Sequence, residues 1–186
     1  MRGLALSLML LPCALGLSAP VALASPATTG GVAADDPALA AAAVVGDTAK
    51  VVAGRALAPA SAPTPVKRAI AAANRIVGKP YVYGGGHTLG KAIAGGYDCS
   101  GTVSFALRAG RLLKAPLDSS AFMAWGAPGA GDWITVYTNP GHAFAVIAGL
   151  RLDTSAAGDP AAAKGPRWRP VLRSTRGFKA RHPEDL

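Results

Sequence analysis

The chain has 186 residues, with 19 Lys+Arg against 10 Asp+Glu and a formal charge of +9. Once a leader is removed, that length holds one domain of ordinary size, not two. Its two cysteines are Cys13, near the N-terminus, and Cys99, so a disulfide framework in the mature chain is excluded.

The N-terminus reads as a secretory signal. Arg2 supplies the positive start, Leu4 to Leu17 the apolar stretch, and Ala22-Leu23-Ala24 a small-x-small cleavage site before Ser25. The apolar stretch is shorter than the ~20 residues that span a bilayer. Residues 1–24 are therefore expected to be removed, leaving an extracellular chain with no stable membrane span. Pro12 stands where a lipoprotein signal places a small residue, which argues against lipidation of Cys13.

Residues 25–63 are rich in Ala, Gly, Pro, Thr and Val and carry no aromatic side chain. They read as a linker or pro-segment, with a loose helix over 36–57 from alanine's propensity. Order is expected to begin at Thr64-Pro65, with Thr64 as N-cap and Pro65 in the first turn. Val66, Ile70, Ala73 and Val77 recur at helical spacing, and Gly78 and Pro80 end that helix. Tyr81-Val82-Tyr83 is a short extended piece before a glycine-rich loop, 84–96. A second helix runs from Cys99 to about Leu113.

Trp133 to Tyr137 and His142 to Ala148 read as strands joined by the Asn139-Pro140-Gly141 turn, and Gly149-Leu150 turns back into a third, 151–154. Helices followed by an antiparallel meander give an α+β fold. The last segment gathers Lys164, Arg167, Arg169, Arg173, Arg176, Lys179 and Arg181 around Trp168 and Phe178. It reads as a basic C-terminal tail that packs through Trp168 and Phe178 and presents its charges to solvent, with a wholly solvated charged terminus as the rival reading. Export makes anionic cell-surface polymers a better partner for it than nucleic acid.

Cys99 carries the chemistry. A thiol at a helix start feels about half a positive charge, which favours the thiolate. The nucleophile then needs a base with a pKa near neutral. His142 opens a rigid strand and is preferred over His87, which lies in the glycine loop, and over His182, read as solvated. The imidazole needs an orienting acceptor. Asp153 shares a sheet face with His142, but a turn at Gly149-Leu150 pairs it with Val146, so a bulge or a wider turn is required. Asn139, Ser155 and Asp159 are the alternatives. No His or Cys pair has metal-ligand spacing, so no metal and no cofactor are expected.

Taken in order, Gly78-Lys79-Pro80-Tyr81-Val82-Tyr83-Gly84-Gly85, Tyr97-Asp98-Cys99-Ser100-Gly101, Gly131-Asp132 and Gly141-His142 resemble the NlpC-type cell-wall peptidases. The resemblance spans roughly 65–154. It implies a papain-like fold, with the nucleophile at a helix start packed on an antiparallel sheet, in a domain covering 64–186. It implies a cysteine peptidase that cuts peptidoglycan stem peptides, commonly between γ-D-glutamate and diaminopimelate. Cys99 would be nucleophile, His142 base, and the residue near Asp153 the third member. Tyr81, Asp98 and Ser100 would bind substrate, Asp98 near the free amine of the stem. Two features depart from the family: a longer loop carrying His87 and Lys91, and Asp153 where histidine is commoner. An amidase or acyltransferase with the same Cys-His pair, and a non-catalytic wall-binding protein of this fold, are the rival readings.

Overall fold

A computed structural model describes residues 46–90, 92–159, 163–169 and 173–186, all within a unit spanning 33–186. The expected signal segment 1–24, residues 25–45 and Lys91 lie outside the described residues. The elements are β1 (Lys50–Val52), β2 (Arg55–Leu57), α1 (Thr64–Ile76), α2 (Cys99–Ala109), α3 (Ser119–Phe122), β3 (Ala127–Pro128), β4 (Ile134–Asn139), β5 (His142–Ile147), β6 (Leu150–Asp153), β7 (Arg167–Arg169) and β8 (Lys179–His182). The fold is α+β. Strands β1 and β2 form a hairpin, and the other six form an antiparallel sheet in the order β3-β8-β4-β5-β6-β7.

Helix α1 buries Val66, Ala69, Ile70 and Ala73, the face its spacing foretells. Its start lies one residue earlier than expected. Pro63 is the N-cap, Thr64 already belongs to the first turn, and no side chain caps the end. Beyond the C-cap Val77, Gly78 takes φ +89°, a conformation that suits glycine.

Strand alternation sorts the sheet into two faces. Ile134, Val136, Ala143, Ala145, Ile147 and Leu152 join Val66, Ile70, Val103 and Leu107 in one core. The valine, leucine and isoleucine side chains among them contribute about 1.5–3 kcal/mol each on burial. The alternate positions put His142, Phe144 and Val146 of β5 and Arg151 and Asp153 of β6 on the other face.

The β5–β6 turn corrects the expected register. Ala148 (φ +46°) and Gly149 (φ +79°) are its two central residues, and Ile147 pairs with Leu150. Two positive φ values match the twist of a tight hairpin. Moving the turn back one residue moves the register by two. Ala145 pairs with Leu152, so the next step places Asp153 opposite Phe144 rather than Val146, with no bulge.

Order begins before Thr64. Instead of a helix, residues 50–57 form a hairpin that turns at Ala53 (φ +49°) and Gly54 (φ +77°). Ala49 and Ala56 are buried, and Ala49 N–H donates to the Ala148 carbonyl at 2.8 Å. Buried Asn74 of α1 holds the hairpin. Its Oδ1 accepts from Ala56 N (2.9 Å) and its Nδ2 donates to Ala56 O (2.9 Å). The same Oδ1 accepts from Trp168 Nε1 at 2.7 Å, so one amide ties β2 and β7 to α1.

The basic C-terminal segment is not a solvated tail. It supplies β7 and β8, the latter inserted between β3 and β4. Arg169 is buried and paired with Asp159, whereas Lys164, Arg176 and Lys179 remain exposed. His182 likewise belongs to the sheet, opposite Ala127.

Candidate active site

The start of α2 is built around Asp98. Its extended backbone makes it the N-cap, and its Oδ1 accepts from Gly101 N–H at 2.7 Å. Its Oδ2 accepts from Gly84 N–H at 2.9 Å, and its own N–H donates to Gly85 O at 3.1 Å. The glycine loop is thereby pressed against the helix. A Cβ on Gly101 would collide with the Gly85 carbonyl oxygen, so glycine is required at this contact. The approach fixes Cys99 as the first residue of α2, 8% exposed.

His142 is set by the β4–β5 turn. Asn139 Oδ1 accepts from Gly141 N (3.0 Å) and His142 N (2.9 Å), which locks the residue at the strand's start. Asn139 thus bonds the backbone of His142 and not its ring. The ring Nε2 faces Asp153 Oδ1 at 2.9 Å. That leaves Nδ1 for Cys99, whose sulfur interacts by hydrogen bonding with the His142 side chain and the Ala143 N–H.

Asp153 is almost fully buried, and both its oxygens are engaged. Oδ1 also accepts from Ser155 N–H at 2.8 Å. Oδ2 accepts from Arg173 Nη1 at 3.3 Å and lies 3.7 Å from Arg151 Nε. Of the alternative third members, Ser155 supplies a backbone donor to Asp153, and Asp159 pairs with Arg169.

These contacts set the charges. Burial pushes the Cys99 thiol up, but hydrogen bonding to His142 and the Ala143 N–H, with the imidazolium charge, outweighs it and brings the pKa below its usual 9.0. Burial alone would lower His142. Hydrogen bonds and charge from Asp153 and Cys99 prevail and raise it from 6.5 to about 9. Burial would raise Asp153, yet His142, the Ser155 N–H and Arg151 hold it below the usual 3.8. All three shifts favour a thiolate–imidazolium pair backed by a carboxylate.

The other expected residues flank this line. Tyr81 is 43% exposed and bridges to Tyr97. Burial and the charges of Cys99 and Asp98 raise its phenol, which puts it within electrostatic reach of the sulfur. His87 does not join Cys99. Its Nε2 lies 3.0 Å from Asp98 Oδ1 and 3.3 Å from Ser100 Oγ. Ser100 also donates to Asp98 Oδ1 at 3.3 Å, so Asp98, Ser100 and His87 form one cluster beside Cys99.

Sequence reasoning missed the aromatic wall. The rings of Phe144 and Phe178 lie 6.2 Å and 6.3 Å from that of His142, and Arg173 sits over both phenylalanines at 5.3 Å. Phe178, an aromatic residue set within a run of cations, was the available signal. Among the described residues, no group of three or more His, Cys, Asp or Glu is placed to hold a metal.

No family model and no curated protein matches this chain. Among solved structures, it is similar to Rv1477, a hypothetical invasion protein of Mycobacterium tuberculosis, at 20% identity over 74% of this chain and 72% of that chain, with a TM-score of 0.46.

Proposed function

We propose that this chain is a papain-like cysteine hydrolase. Within that class we assign it as an NlpC-type peptidase that cuts peptide stems of bacterial peptidoglycan outside the cell. The observation that carries the reading is the line Cys99–His142–Asp153, with a thiol at a helix start and an imidazole that bonds a buried carboxylate and interacts with that thiol.

The chemistry follows from that line. The Cys99 thiolate attacks the scissile carbonyl carbon, forming a C–S bond and an oxyanion. The first-turn N–H of Cys99 has no intrahelical acceptor and is available to that oxyanion. His142 gives its proton to the departing amine as the C–N bond breaks. Water then attacks the thioester, His142 takes its proton, and the C–S bond breaks to return the thiolate. Asp153 keeps the imidazole oriented throughout. Tyr81, Asp98 and Ser100 line the substrate side, and no cofactor takes part.

Exposed Lys164, Arg176 and Lys179 suit contact with anionic wall polymers. Such contact weakens with salt, as the Debye length falls from ~10 Å at 0.1 M to ~3 Å at 1 M. Sedimentation with purified wall at the two salt levels measures it, and salt-independent binding refutes it.

The reading is tested by digesting purified peptidoglycan and analysing the fragments by mass spectrometry. Cleavage within the stem is expected, with one peptide bond hydrolysed per event, for instance at γ-D-glutamyl-diaminopimelate. Release of whole stems from the sugar would make the chain an amidase, transfer to an acceptor amine an acyltransferase, and intact wall after incubation a binding protein.

A further inference from the structure

We infer that Arg173 is a positioning residue: seated on Phe144 and Phe178 and bonded to Asp153 Oδ2, it keeps Asp153 Oδ1 on His142 Nε2. The inference rests on the Cys99–His142–Asp153 reading above.

The need for such a residue comes from the register. Asp153 continues the ladder opposite Phe144, so its carboxylate reaches His142 diagonally along the sheet. A carboxylate held from one side can turn about its last torsion. Arg151 offers it somewhere to turn. That side chain is fully buried, its Nε, Nη1 and Nη2 have no hydrogen-bond partner, and its Nε lies 3.7 Å from Asp153 Oδ2. A buried guanidinium with no hydrogen bond draws strongly on the nearest carboxylate.

Arg173 opposes that turn. Its Nη1 donates to Oδ2 at 3.3 Å, and its guanidinium lies 5.3 Å from the centroids of both Phe144 and Phe178. The same two rings flank His142 at 6.2 Å and 6.3 Å. One planar cation therefore fixes the acceptor by charge and the imidazole through the ring wall. The other charged groups here are Asp98 and Tyr81 on the Cys99 side, and Arg169 with its partner Asp159 behind β6, where Arg169 Nε donates to the Asp153 carbonyl at 3.4 Å.

The test is the pH profile of Cys99 alkylation by iodoacetamide in the full chain, which needs no substrate. Two limbs bound the ion-pair window: the acid limb is thiol ionisation, read by alkylation, and the alkaline limb is loss of the imidazolium proton, read as the His142 ring titration by NMR, because the thiolate goes on reacting above it. In Arg173→Met the window should narrow from both ends, each limb moving by about one pH unit, the size of shift one charged partner commonly makes. Loss of the cation alone, with Asp153 still on His142, would move both limbs upward. An alkaline limb that stays or rises in Arg173→Met therefore overturns the inference. Arg173→Lys keeps the charge but not the planar seat, so it should fall between the two, and a wild-type profile in Arg173→Lys overturns the seat. Should Arg173→Met fail to fold, by circular dichroism, the Lys variant decides. A wild type that labels as described but leaves wall peptides intact would remove the peptidase reading and leave this inference standing.

Discussion

Asp153 bonds His142 at 2.9 Å although the two are not cross-strand partners, because the β5–β6 ladder sets Asp153 opposite Phe144. Diagonal neighbours on one sheet face remain within reach of polar side chains. The contact therefore depends on the Ala148-Gly149 turn and on what stands behind the carboxylate.

Replacing the nucleophile gives the first test. Cys99→Ala should abolish stem-peptide hydrolysis while the domain stays folded, since alanine fits the space. Cys99→Ser should be nearly as inactive, because a hydroxyl is not ionised here. His142→Ala should cost about 10³-fold or more in kcat/KM. His87→Ala should cost far less, since His87 bonds Asp98 and Ser100 and not the sulfur. Turnover by a folded Cys99→Ala protein refutes the mechanism.

The paired shifts of Cys99 and His142 make a second prediction. In the folded state the proton sits on the imidazole instead of the sulfur, up to about pH 9. Between the lowered thiol value and that limit the pair carries the same net charge as a neutral thiol and imidazole. Its pH signature is thus spectroscopic more than thermodynamic. The His142 ring should titrate by NMR near pH 9 in the wild type and at a lower pH in Cys99→Ala, which removes the thiolate's contribution. An unchanged midpoint in Cys99→Ala would show that the two groups are not coupled.

Asp153 does leave a mark on stability. Its folded pKa is depressed below 3.8, so its contribution is fully present above that value and is lost as pH falls through the folded pKa. Asp153→Asn should remove this acid dependence from thermal melts. It should also lower stability at neutral pH by about 3–5 kcal/mol, because Arg151 is left buried without its counter-charge. A melting temperature equal to wild type at neutral pH would contradict the buried-pair account.

Asn74 gives a prediction far from the site. Asn74→Leu removes three hydrogen bonds and strands the Ala56 backbone and the Trp168 indole N–H. Each stranded buried group costs about 1–3 kcal/mol. Limited proteolysis should then cut near residues 50–57 before the rest of the domain, and resistance equal to wild type would refute the role.

The placement of Cys99 at a helix start, of His142 at a strand start and of the meander was legible because each coincides with a strong local signal: a lone thiol before an apolar run, a Pro-Gly turn, and an unbroken apolar strand. Asp153 was legible as a residue but not in its register. Gly149-Leu150 looks like the turn, whereas a non-glycine residue, Ala148, adopts φ +46° and moves it. The hairpin at 50–57 and strands β7 and β8 were illegible. Three- or four-residue strands show no periodicity, and their partners, such as Asn74 for Ala56 and Trp168, lie far off in sequence. Arg169 and Arg173 read as surface charge because composition cannot reveal that a carboxylate or an aromatic pair awaits them.

The place of β8 between β3 and β4 also sets an order of events. Synthesis delivers Cys99 and His142 well before Arg173, Phe178 and the strand that follows them. A growing chain holds its sulfur beside an imidazole whose wall and acceptor clamp do not yet exist. The wall around the imidazole is then the last part of this site to form, completed only when β8 enters the sheet.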